Sequence, residues 1–100
     1  MTTQKLLDAI DADADGAAFP ASGSSKILAV WATDFGGGTV TLEASPDGDT
    51  TWITVTIAAA AITLTANGYR VIDRTTQGMV YRATLTGSTN PTDVSAYLFD

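Results

Sequence analysis

The sequence predicts an all-β fold: a single antiparallel β-sandwich, jelly-roll or immunoglobulin-like, with an N-terminal arm. Three observations predict it. From Lys26 onward most runs alternate with a period of two, the mark of a half-buried strand. Those runs are filled with β-branched and aromatic residues, which suit a pleated surface. Turn residues punctuate them at short intervals, at Gly36-Gly37-Gly38, Pro46-Asp47-Gly48, Asn67-Gly68 and Asn90-Pro91.

The stretch Gly38–Ile57 is the strongest local signal. In its first run Val40, Leu42 and Ala44 share one face, and Thr39, Thr41 and Glu43 the other. In the second run Ile53, Val55 and Ile57 alternate with Trp52, Thr54 and Thr56. Between them Pro46 presets φ, Asp47 bonds its own downstream backbone and Gly48 accepts positive φ, so a hairpin is expected.

The other elements follow in chain order. Residues 1–25 read as an arm, apart from a domain over residues 26–100. Thr3 is placed to cap a short helix over Gln4–Ile10, with Leu6, Leu7 and Ile10 on one face; so short a helix needs a partner surface. Phe19-Pro20 reads as an edge-strand anchor. Lys26–Asp34 is a strand with two apolar faces, Ile27, Ala29, Trp31 and Leu28, Val30, Ala32. Phe35–Gly38 is a hairpin connection. Ala58–Ala61 reads as a bend between strands. Ile62–Ala66 and Tyr69–Asp73 are strands joined at Asn67-Gly68, and Arg74–Gly78 is a loop. Met79–Thr86 is a strand with Met79, Tyr81, Ala83 and Leu85 on one face; Gly87–Thr92 is a turn and Val94–Phe99 the last strand.

Composition narrows the function. One hundred residues make one domain. Without cysteine there is no disulfide framework and no thiolate metal site. Without histidine there is no imidazole base and no Ser-His-Asp triad, so most hydrolase chemistry is excluded and no catalytic residue or cofactor is expected. The net charge of −6 repels phosphate backbones and argues against nucleic-acid binding. The first residues turn acidic before any apolar stretch develops, so no signal peptide is expected, and synthesis in a cytoplasm is. The longest low-polarity run, Ile57–Ile62, is far short of a membrane span.

Three candidate sites stand beside plainer explanations. Asp11, Asp13 and Asp15 before Gly16 match the opening of a calcium loop, but Ser22 stands where a bidentate glutamate belongs, so a solvated acidic turn is the simpler reading. Ser45–Trp52 resembles the Asp-box of sialidase propellers, itself a structural hairpin, with Asp49 in place of its glycine. Trp31, Trp52, Tyr69, Tyr81 and Tyr97 are candidates for a sugar-stacking platform, although aromatics at strand spacing more often fill a core or an interface. Arg70 and Arg82 each follow a tyrosine and read as salt-bridge or interface residues facing Asp73, Glu43 or a neighbouring subunit.

Several pieces taken together carry a resemblance. Gly37–Leu42, Ser45–Trp52, Tyr69–Val71 and Tyr81–Thr92 resemble the motifs of small tailed-bacteriophage virion proteins of the capsid cement or decoration type. The resemblance spans roughly Lys26 to Phe99. It implies a non-enzymatic virion protein, a homotrimer seated on the major capsid protein at the outer capsid surface. The arm lies outside the resemblance; its residues Leu6, Leu7, Ile10 and Phe19, together with Arg70 and Arg82, are the candidate partner contacts. A carbohydrate-binding module of similar fold, or a tail or head–tail component, is the alternative.

Overall fold

The computed structural model describes residues 3–20, 26–46, 51–57, 60–72 and 79–99. Over these residues the chain forms strands and no helix. In order they are β1 (Thr3–Ile10), β2 (Ala14–Asp15), β3 (Phe19–Pro20), β4 (Lys26–Trp31), β5 (Thr39–Ser45) and β6 (Ile53–Thr54). Then come β7 (Thr56–Ile57), β8 (Ala60–Ala61), β9 (Thr63–Leu64), β10 (Gly68–Ile72), β11 (Val80–Thr86) and β12 (Val94–Phe99). A four-stranded sheet in the order β1-β12-β4-β10 packs on a six-stranded sheet with the path β2-β11-β5-β6, where β3 also joins β11 and β9 joins β5. The protein is an antiparallel β-sandwich.

The core follows from the alternation. Leu28 and Val30 of β4, Val94, Ala96 and Leu98 of β12 point inward from the first sheet. Val40, Leu42 and Ala44 of β5 meet them from the second, beside Tyr81, Ala83 and Leu85 of β11. These residues pack into one cluster, which is how a pleated sheet buries every second side chain.

The segment expected to be an arm with a helix is instead β-structure. β1 pairs with β12 over the length of the four-stranded sheet, and Leu6 and Leu7 are both buried. The register breaks between Lys5 and Leu7 and again between Leu7 and Ile10, so apolar residues at helix-like spacing all reach the core from an irregular strand. Ala9 sits at φ 50°, and its N–H donates to the buried Ser95 Oγ at 3.0 Å, which pins the second irregularity. The chain then crosses to the other sheet. β2 and β3 both pair with β11, so Phe19-Pro20 is an edge anchor as its sequence suggests. At the crossing the Gly16 N–H donates to Ala83 O at 2.8 Å and the Ala17 N–H to Leu6 O at 3.0 Å. A Cβ on Gly16 would overlap the Leu6 carbonyl, so only glycine fits there.

Phe35–Gly38 is not a hairpin connection. It carries the chain from β4 in one sheet to β5 in the other, with Gly36 at φ 62° and Gly37 at φ 77°. The Asp34 side chain accepts from the Gly36 N–H at 2.8 Å, and Asp34 pairs with Thr92, tying this arch to the turn before β12.

The central hairpin forms, but its second arm is divided. Glu43 and Ala44 of β5 pair with Thr54 and Ile53 of β6, whereas Val40 and Thr41 pair with Leu64 and Thr63 of β9. Between them β7 and β8 leave the sandwich as a separate ribbon. The turn proposed around Asp47 and Gly48, the first half of the bend expected over Ala58–Ala61 and the loop at Arg74–Gly78 lie outside the described residues, the last together with Asp73; the second half of that bend, Ala60–Ala61, is strand β8.

Burial of Leu6 generates a test. Leu6→Ala is expected to lower the unfolding free energy by about 2–5 kcal/mol in urea titration, the range for a truncated core leucine, and to match Leu28→Ala. A dispensable arm would show no loss.

Candidate interaction surface

The two outer faces of the sandwich differ in chemistry. On the four-stranded sheet the residues opposite the core form rows across the strands. Phe99, Ile27 and Val71 make one row; Lys5, Tyr97, Ala29 and Tyr69 make the next; Trp31 lies beyond. Four of these large apolar residues are exposed: Ile27 at 39%, Trp31 at 43%, Val71 at 56% and Tyr69 at 67%. The rings of Trp31 and Tyr97 stack at 4.6 Å with planes 9° apart, and Tyr97 and Phe99 follow at 6.1 Å. Lys5 and Asp8 form the charged border on β1. Lys5 lies 5.7 Å from the Tyr97 ring centre and 3.4 Å from the Asp8 carboxylate. The Asp8 charge chiefly, with Tyr97, raises the Lys5 ammonium above its ordinary value.

The six-stranded sheet presents a polar face. Thr41, Thr84, Thr54 and Thr63 sit on it, and Arg82 is its centre. The Arg82 Nε–H donates to Glu43 Oε1 at 2.9 Å, and Nη1 lies 3.4 Å from Asp15 Oδ2. Its guanidinium also lies 4.1 Å from the centre of the Trp52 ring. Two carboxylates and an indole around one planar cation make a clamp that fixes the start of β6 against β5 and β11.

The candidate residues are therefore dispersed. Leu6 and Leu7 are core; Ile10 and Phe19 pack partly buried against it. Arg82 is engaged within its own sheet, with Glu43 as the sequence suggests, while Arg70 is exposed on β10. Of the aromatic set, Tyr81 is buried, Trp52 lies against Arg82, and Trp31, Tyr97 and Tyr69 share the outer face of the four-stranded sheet. The three aspartates do not converge, and the described residues contain no cluster of three or more acidic groups. Asp13 accepts from the backbone N–H groups of Gly87 and Ser88 at 3.0 and 3.1 Å and from the Ser88 hydroxyl. It thus caps the turn after β11, while Asp15 faces Arg82. Ile27, Val71 and Phe99 complete the exposed face and were not among the sequence candidates. Ile27 lies in the uncharged run Ile27–Ala32, apolar on both strand faces, and Val71 and Phe99 lie on other strands with no comparable signal.

One cavity of about 230 Å³ opens between Ala44, Ile53, Val55, Met79 and Tyr81, with Thr54 and Thr56 at its lining. Among the described residues its lining has hydroxyl and apolar groups and no charged side chain.

Two tests follow from the polar contacts. Hydrogen bonds from Ser88 and Gly87 lower the Asp13 pKa below its ordinary 3.8. A carboxyl whose folded pKa is depressed stabilises the fold above 3.8, and that contribution fades as pH falls through the folded value. The urea midpoint of Asp13→Asn should therefore lie below that of the native protein at neutral pH, and the gap should close in strong acid. Arg82→Met should cost about 1–3 kcal/mol, the scale for losing a charged hydrogen bond, and shift Trp52 fluorescence. Unchanged emission would show that the guanidinium does not hold the ring. No protein-family model, curated protein or solved structure matches the chain.

Proposed function

We propose that this is a non-enzymatic structural protein that works by seating on a larger protein assembly, and that the assembly is the outer surface of a tailed-phage capsid. The observation that carries the reading is the exposed group of Ile27, Trp31, Tyr69 and Val71 on one sheet face. A contiguous apolar patch of this kind on a small β-sandwich is costly in water unless a partner covers it. The opposite sheet, lined with threonines and the Arg82 clamp, suits the face left in solvent.

The virion assignment draws on the motifs. Gly37–Leu42 and Tyr81–Thr92 supply paired central strands β5 and β11, and Tyr69–Val71 lies within the exposed edge strand β10. The proposed partner is the major capsid protein, with the protein acting as a homotrimer. A lattice repeats the same contact many times, so a modest affinity per copy suffices. In the carbohydrate-module alternative the Trp31–Tyr97 stack has one face of each ring already occupied by the other.

Quantifying the protein in purified particles, with immunogold labelling, tests the assignment: many copies spread over the head are expected, and a few copies at one vertex or on the tail would overturn it. The doubly substituted Tyr69→Ser, Val71→Ser protein should fold normally, since both positions are exposed. Its uptake onto particles should fall about tenfold or more, the loss typical of removing interface anchors.

A further inference from the structure

The edges of the two sheets are unequal. β1, one edge of the four-stranded sheet, breaks register twice, carries Ala9 at φ 50° and presents Lys5 and Asp8. The rim strands of the other sheet, β2, β3, β6 and β9, are two residues long. Irregularity, charge and shortness are the devices that keep an edge from pairing. β10 has none of them except one charge. It pairs with β4 in unbroken register from Gly68 to Ile72, contains no proline and is exposed over its first four residues. Among the described residues no strand pairs with its other side. Its alternate N–H and C=O groups therefore face outward as a template for one more strand.

The side chains specify what that strand is. Tyr69 and Val71 point to the apolar outer face, and Arg70 points to the other side. Neither β4 nor β10 carries a carboxylate in a chain of net charge −6. Full-overlap pairing with a second β10 would set Arg70 directly opposite Arg70, which is unfavourable. A carboxylate opposite Arg70 is favourable. We propose that β10 is the acceptor edge for an extended segment of a partner protein, with apolar residues opposite Tyr69 and Val71 and an acidic residue opposite Arg70. This rests on the reading of the protein as a docking module and names how it docks: main-chain bonds hold the added strand, and alternate side chains select it.

The test uses the capped peptide Ser-Thr-Val-Asp-Val-Thr-Ser, and the same peptide with Lys for Asp, titrated into the whole protein and followed by NMR. Slowed amide exchange confined to Gly68–Ile72, with the Asp peptide binding about three- to tenfold more tightly than the Lys peptide, is expected from one charge pair. Arg70→Glu, at an exposed position, should invert that preference. Shifts that map elsewhere, affinity indifferent to the peptide's charge, or β10 protection that rises with protein concentration alone would each overturn the proposal. Arg70→Glu protein is offered to particles in parallel. Undiminished uptake overturns the β10 site while leaving particle binding intact.

Discussion

The backbone of Leu42 is where the second sheet is held together. Its carbonyl accepts the Val55 N–H at 2.9 Å, its N–H donates to Ile62 O at 3.0 Å, and the Ile62 N–H donates to Val55 O at 2.9 Å. Three residues from three segments close a ring of main-chain bonds, with the Leu42 side chain fully buried beneath it. β5 can then be a central strand along its whole length although, on the side away from β11, no single strand runs beside it. With β5 fixed, β11 is fixed, and through β11 so are β2 and β3. Backbone groups buried this deep must be paired, and the ring pairs them at the point where β6 gives way to β9.

The two sheets divide the work of a small protein. The inner faces are filled mainly with leucine, valine and alanine, residues that interlock at short range without polar demands. The outer faces take opposite characters. One is fixed by an internal clamp around Arg82 and needs nothing further. The other stacks aromatic rings against one another and leaves aliphatic groups in water. Such asymmetry is what a module needs when one side meets a partner and the other meets solvent.

Much of this was legible in the sequence. Val94–Phe99 forms as written, and Met79–Thr86 differs only at its first residue, because turn residues bound both runs and β-branched and aromatic residues fill them. β1 was not legible, and the reason is geometric. A strand with two register breaks no longer places its buried residues at a spacing of two, so Leu6, Leu7 and Ile10 imitate a helical stripe. β6 to β9 are two residues each, too short for any period to show, and their partition depends on the Leu42 ring rather than on local preference. The outward face of β4 was hidden for a different reason: both its faces are apolar, and only the packing of the second sheet shows which is covered.

The β7–β8 ribbon follows from the same ring. Because Val55 and Ile62 are bonded to each other as well as to Leu42, the chain between them begins and ends at one closed point. Whatever lies beyond that point transmits no register to the sheet. Its described residues, Thr56–Ile57 and Ala60–Ala61, pair with each other and with neither sheet of the sandwich, as an appendage on a sealed stem. It is the natural place for a foreign epitope to be carried without disturbing either face.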